Sequence, residues 1–285
     1  MAEFTDGTWT SSDGLELHYR DYPGREDRPP VLCLHGLTRN ARDFADLADR
    51  LAGEWRVIVP EMRGRGDSEY AKDADSYNPI QYLSDVNLLL EKLGVDRFVS
   101  IGTSMGGLMT MLIAMKSPER LAGAALNDIG TRLEREGLDR ILSYAGQGRN
   151  FPTWVHAARA LEESQKIAHP RFDLADWIAM AKRTMTLTSN GRIVFDYDMK
   201  IAEAFSKVDF DNQPDLSPAL DALARVPVLI LRGEVSDLFS EANCGEMMAR
   251  LGDAEAVTVA GVGHAPLLIE PEAEAAIDRL LAKVA

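Results

Sequence analysis

The chain has 285 residues, 46% of them hydrophobic and 27% charged, which suits one large α/β domain with an insertion or two modest domains and excludes disordered and fibrous classes. A formal net charge of -14 argues against nucleic acid, whose phosphates need a basic face, and against anionic membranes. No apolar run approaches the ~18 residues of a membrane span, the opening residues lack the pattern of a signal peptide, and Cys33 and Cys244 read as separate buried thiols, so a cytoplasmic protein is expected.

In chain order, Thr8-Trp9-Thr10 and Glu16 to Arg20 flank a Ser12-Asp13-Gly14 turn and read as an N-terminal hairpin. Val31 to Leu37 is a continuous apolar run ending in His35-Gly36-Leu37, the pattern of an interior parallel strand. Asn40 is placed to cap a helix carrying Phe44, Leu47, Ala48 and Leu51, which stops at Gly53. Trp55 to Pro60 is the next strand, and it runs into a loop holding Glu61, Arg63 and Arg65, read as a charge network that holds the loop. Asn78-Pro79-Ile80-Gln81 opens a helix with a cap, a proline in the first turn and a glutamine at the reciprocal capping position.

Phe98 to Ile101 is a short strand, Leu108 to Met115 an apolar helix, and between them stands Gly102-Thr103-Ser104-Met105-Gly106. Gly-x-Ser-x-Gly between a strand and a helix has the spacing of a nucleophile elbow. So abrupt a turn requires a strained serine backbone, and a Cβ at either flanking glycine would collide with the turn. The turn lifts the Ser104 hydroxyl above the sheet and leaves the Met105 amide at a helix N-terminus.

Leu121 to Ile129 reads as a further strand, and the alternation of strands and helices to this point means a parallel sheet covered on both faces. From about Thr131 to Pro214 the alternation stops and helical patterns dominate, marking an insertion rich in aromatic residues. Such a layer can wall an apolar pocket, with Trp154 and Leu37 the candidates to meet substrate, although most of these side chains are expected to form the insertion's own core. Val226 to Gly233, a helix from Ser240, Ala256 to Val259 and a helix from Pro271 complete the pattern.

A serine hydroxyl needs a base, itself oriented by a third group. Of five histidines, His264 alone follows the last core strand, in a glycine-rich loop able to reach the carboxyl edge of the sheet. Asp237, after the preceding strand, is the best-placed carboxylate, and Asp128 is held in reserve. His35 reads as structural, at a position where its backbone matters more than its ring. No metal-binding or nucleotide-binding motif occurs, so no cofactor is expected.

With Ser104, Asp237 and His264 in that order, the chain resembles the α/β-hydrolase superfamily over nearly its whole length. The resemblance rests on His35-Gly36, the Arg63 to Ser68 loop, the Gly102 to Gly107 elbow, Gly233 to Asp237 and Gly261 to Pro266, all in the expected order. It implies a mostly parallel central sheet with helices on both faces, made by residues 1–130 and 215–285, and a mainly helical cap, 131–214, inserted after the sixth strand. It also implies an oxyanion hole from the amides of Leu37 and Met105. Two departures stand out: Glu61 occupies a position often Asp in relatives, and His-Gly-Leu lacks the Gly-Gly-Gly of some lipases, which disfavours bulky tertiary-alcohol esters. Serine at the elbow argues against the dehalogenases and epoxide hydrolases of this fold, which place Asp there.

The expected reaction is hydrolysis of an ester, lactone or thioester of a small molecule through an acyl-enzyme. A carbon-carbon bond hydrolase acting on a β-diketone or vinylogous acid, a cofactor-free perhydrolase and a non-catalytic small-molecule receptor remain as alternatives. The partner is a small-molecule substrate, neither nucleic acid nor membrane; the physiological substrate and the oligomeric state are not legible.

Overall fold

The computed structural model describes residues 2–252 and 254–285. An eight-stranded sheet runs β1 (Thr5–Thr10), β2 (Glu16–Tyr22), β4 (Val57–Pro60), β3 (Val31–Leu34), β5 (Phe98–Thr103), β6 (Leu121–Asn127), β10 (Val228–Gly233), β11 (Ala254–Val259). β1 and β2 form an antiparallel hairpin and β2 meets β4 antiparallel, whereas β4 through β11 pair in parallel. This is the mostly parallel sheet expected from the alternating pattern, in the arrangement that the resemblance to α/β-hydrolases implies.

The period-2 geometry of strands explains the unbroken apolar runs. In β3, Leu32 and Leu34 join one core while Val31 and Cys33 join the other; in β5, Phe98 faces the first and Val99 and Ile101 the second. The first core is roofed by α2 (Pro79–Lys92), α3 (Met105–Lys116), α8 (Ser217–Leu223) and α9 (Glu241–Leu251). The second is covered by α1 (Ala45–Leu51) and α10 (Pro271–Ala282). Asn78 caps α2 by accepting from the Gln81 amide, but the reciprocal bond is missing because the Gln81 side chain donates to Asp85 instead. Asp85, fully buried, is the partner of Arg63, whose guanidinium also grips Asp13, so the glutamine joins a charge cluster and leaves the cap one-sided.

Between β6 and β10 the chain forms α4 (Arg135–Tyr144), α5 (Trp154–Gln165), α6 (Leu174–Thr184) and α7 (Lys200–Ser206), and a small antiparallel sheet in the order β7 (Asn150–Phe151), β9 (Ile193–Phe195), β8 (Met185–Leu187). Ile193 to Phe195 is thus a strand within a segment otherwise dominated by helices. Phe151, Leu161, Trp177, Met180 and Ile193 make a separate core here, with Trp154 packed against it. This segment is tied to the segments that follow β3 and precede α2 through Asp196, which pairs with Arg42, and Asp198, which accepts from the Tyr77 hydroxyl.

Candidate active site

Ser104 sits between β5 and α3 with φ 54° and ψ -116°, a left-handed conformation that costs a serine of order 1–3 kcal/mol unless its surroundings enforce it. They do: its amide donates to the Asn127 carbonyl, and its own carbonyl accepts from Gly107 and Leu108. A Cβ on Gly102 would lie 2.3 Å from the Gly106 carbonyl oxygen, and one on Gly106 would lie 1.9 Å from that of Leu34. Both contacts are with backbone, so the glycines are required where the sequence placed them.

Four strands bring the remaining groups to the same edge. His264, in the loop after β11, places Nε2 2.9 Å from the Ser104 Oγ and Nδ1 2.8 Å from Asp128. Asp128 follows β6 directly, with a positive φ of 52° that turns its side chain across the sheet edge. Its carboxylate is fully buried and collects three donors: the Gly233 amide at 2.7 Å, the Ser236 hydroxyl at 2.6 Å and His264 Nδ1. A carboxylate only accepts, so Nδ1 carries the imidazole proton and Nε2 is left to accept from the serine.

Asp237, the carboxylate favoured from the sequence, is not the partner of His264. It lies nearby, but α4 presents Arg140, which clasps Asp237 through Nε and, at 2.7 Å, through Nη2. Burial opposes the charge of this carboxyl, yet Arg140 and, more weakly, His264 hold its pKa below the ordinary range. Arg140 comes from the insertion, whose packing the sequence did not disclose. The usable signal for Asp128 was its place one residue beyond a central strand, the same relation Ser104 has to β5.

Leu37 and Met105 both face the serine and line one pocket with it. Met105 opens α3, where an amide has no intrahelical acceptor. The Leu37 carbonyl is held at 2.9 Å by Arg65 Nε, and Arg65 is itself fully buried, bonded to the Arg63 carbonyl and stacked over the Tyr82 ring at 4.8 Å. The His35 ring matters more than the sequence implied: Nδ1 donates to the Gly36 carbonyl and Nε2 accepts from Met62, pinning the loop before Leu37 to the 61–68 loop. Burial, with help from Arg65, drops its pKa to about 4, so it stays neutral. Glu61 supports the same loops, accepting from the Ala41 and Asp67 amides and from His18. His18, Glu61 and Asp67 are the one grouping of metal-ligand type among the described residues, remote in role from Ser104 and already joined by these hydrogen bonds.

The pocket above Ser104 measures about 410 Å³ and is apolar, walled by Leu108, Leu133, Leu138, Ile141, Phe205 and Phe210 among others, with Tyr77 and Tyr82 on one side. Trp154, the other substrate-contact candidate, is not part of this wall; it packs on the insertion's own core, as expected of most aromatic residues there. The pocket-lining residues of α4 and α7 were missed because their helical stripes look like ordinary core.

A serine raised on a strand-to-helix turn at the carboxyl edge of a mostly parallel sheet, with an imidazole and a carboxylate in line behind it, defines an α/β protein equipped for nucleophilic attack. The alpha/beta hydrolase fold family matches residues 29–271, and the chain belongs to that family; it is a hydrolase. It is 35% identical over 267 residues to the 3-hydroxybutyrate-oligomer hydrolase of Cupriavidus necator, covering 90% of this chain and 89% of that one. The 2-(acetamidomethylene)succinate hydrolase of Mesorhizobium japonicum is 26% identical across 86% of this chain and 84% of its own. A crystal structure of an alpha/beta hydrolase from Novosphingobium aromaticivorans superposes with a TM-score of 0.95 at 58% identity, over the full length of both chains.

Proposed function

We propose that the protein hydrolyses carboxylic esters of small hydroxy acids through a Ser104-His264-Asp128 triad and an acyl-enzyme. The observation that carries this reading is the unbroken chain from Asp128 through His264 to Ser104, at 2.8 and 2.9 Å, opening into an apolar pocket. Ser104 Oγ attacks the ester carbonyl as its proton passes to His264 Nε2, and Asp128 orients and balances the imidazolium. The amides of Leu37 and Met105 receive the oxyanion, each worth about 3 kcal/mol of barrier in such sites. Collapse breaks the C–O bond, the alkoxide leaves with the proton from His264, and water, activated by the same imidazole, cleaves the acyl-enzyme.

The acyl group occupies the apolar pocket, and residues 131–214 act as a cap over a core of 1–130 and 215–285. The name of the Cupriavidus necator relative supports hydroxy acid esters as the substrate class. No helix among the described residues is long and apolar enough to cross a membrane, and both cysteines are free and buried, in keeping with work in the cytoplasm.

Intact-protein mass after fluorophosphonate treatment, with hydrolysis of p-nitrophenyl esters, tests the mechanism. One adduct on the wild type and none on Ser104→Ala, together with ester turnover that the variant loses, is the expected result. No adduct and no turnover by the wild type would overturn it.

A further inference from the structure

Outside the apolar wall, cationic groups lie near the loops that carry the serine and His264. Arg39 follows the Leu37 loop closely: a methyl built on Gly36 would lie 3.5 Å from Arg39 Cγ and 3.7 Å from Ser104 Cβ. The guanidinium reaches toward α6, with Nη1 3.1 Å from Asp43 and 3.0 Å from the Met180 sulfur. Arg140 approaches from α4 beside Asp237. Both side chains are largely buried, 15% and 13% exposed, in a chain of net charge -14. Arg39 spends one nitrogen on Asp43 and the Met180 sulfur, Arg140 spends Nε and Nη2 on Asp237 with the Tyr144 hydroxyl also bonded to it, and each retains further N–H groups of its fork of five.

His169 completes the group. Its residue is 2% exposed, the ring stacks on Phe172 at 4.4 Å, and neither ring nitrogen has a hydrogen-bond partner. A buried imidazole with both nitrogens unpaired is costly unless it serves something that arrives. Its position is fixed against the site, because the preceding Ala168 carbonyl accepts from the Gly263 amide at 2.6 Å, next to His264. Burial first, then Arg39, His264 and Arg140, push its pKa down to about 3. None of Arg39, Arg140, His169 and His264 belongs to the apolar wall.

We propose that Arg39 and Arg140, together with the imidazole of His169, form a carboxylate subsite beside Ser104, so that the preferred substrate is an ester whose alcohol half bears a free carboxylate. Two guanidiniums with spare N–H groups match a carboxylate in a partly buried setting, where such hydrogen bonds are strongest. Neutral His169 offers an N–H without adding charge. The proposal rests on ester hydrolysis at Ser104. It orients the substrate: the acyl chain enters the apolar pocket, the C–O bond lies over Ser104, and the departing alkoxide, protonated by His264, is released as a hydroxycarboxylate.

The test compares kcat/KM for 3-butyryloxybutanoate and for the corresponding neutral carboxamide, alongside fluorophosphonate labelling. The wild type is expected to prefer the carboxylate ester at least tenfold, and Arg39→Gln to bring that ratio close to one, with Arg39→Lys recovering part of it. Arg140→Gln is expected to lower the ratio in the same way. Since each ratio is measured within one variant, loss of folded protein does not imitate the effect. Equal turnover of both esters by the wild type, or a tenfold preference that survives in both glutamine variants, would overturn the subsite and leave ester hydrolysis standing. Absence of adduct and of turnover on either ester would instead defeat the hydrolytic reading itself.

Discussion

Replacing Asp128 by asparagine is the sharpest probe of the site, because both oxygens of that carboxylate have assigned donors. Oδ1 accepts from the Gly233 amide, and Oδ2 from both the Ser236 hydroxyl and His264 Nδ1. An asparagine has one acceptor oxygen. If it takes the Oδ2 position, its NH₂ faces the Gly233 N–H across about 2.7 Å and a buried donor pair is left unsatisfied, at a cost of about 1–3 kcal/mol. If it takes the Oδ1 position, its NH₂ faces His264, which then accepts at Nδ1 and carries its proton on Nε2, the wrong nitrogen to activate Ser104. In serine proteases the equivalent change lowers kcat roughly 10⁴-fold for this tautomer reason. We expect a fall of about that order in kcat for p-nitrophenyl butyrate with Asp128→Asn. Asp237→Asn leaves the His264 hydrogen bonds in place and is expected to cost less than about tenfold. Steady-state kinetics on both variants, with thermal melts to confirm folding, decide the matter. If Asp237→Asn were the dead variant and Asp128→Asn stayed within tenfold of wild type, the acid assignment and the argument from acceptor counting would both fail.

Filling the pocket should change chain-length selectivity: Ile141→Trp adds bulk to the wall of a cavity of about 410 Å³, so kcat/KM for p-nitrophenyl octanoate is expected to fall at least tenfold relative to the acetate, and an unchanged ratio would place the acyl chain elsewhere. Stability should depend on pH through histidines held neutral by burial. His35 and His169 have folded pKa values of about 4 and about 3 against 6.5 in the unfolded chain, so their contribution is complete above about pH 6.5 and is lost as the pH falls toward those values. Each gives a slope of at most about 1.4 kcal/mol per pH unit, hence about 2.7 for the pair at about pH 5, in the middle of that window. His18 acts in the opposite sense: burial is outweighed by Glu61 and Asp6, its folded pKa is raised, and its contribution fades as the pH climbs above 6.5 through that value. Urea midpoints should therefore drop clearly from pH 6.5 to 5, and a flat profile there would contradict the neutral burial of His35 and His169.

The parts of the fold and site that were legible are those with local signatures. Strand-helix alternation carries the sheet because apolar runs such as Val31 to Leu34 serve two cores at once. The elbow is legible because backbone geometry leaves no alternative to glycine at 102 and 106. His264 followed from elimination among five histidines. What escaped depends on contacts distant in sequence. Arg140 and Asp237 are 97 residues apart, and without their pairing two aspartates at adjacent strand ends are equivalent on paper. The pocket wall escaped for a similar reason, since the faces of Leu138 and Ile141 are decided by where α4 settles.

The choice of Asp128 over Asp237 has a physical logic of its own. The Asp128 carboxylate is tied into the sheet by the Gly233 amide and, through Ser236, by the loop leaving β10, so strands β6 and β10 hold it in register with the imidazole. Asp237 stands further along that loop and takes its partner from α4, part of the segment that also walls the pocket. In the proposed triad the acid stands on the sheet edge, so its geometry does not depend on how α4 packs. The Arg140-Asp237 pair is then free for a different task, holding α4 against the loop beside His264 and presenting a guanidinium to that side of the site.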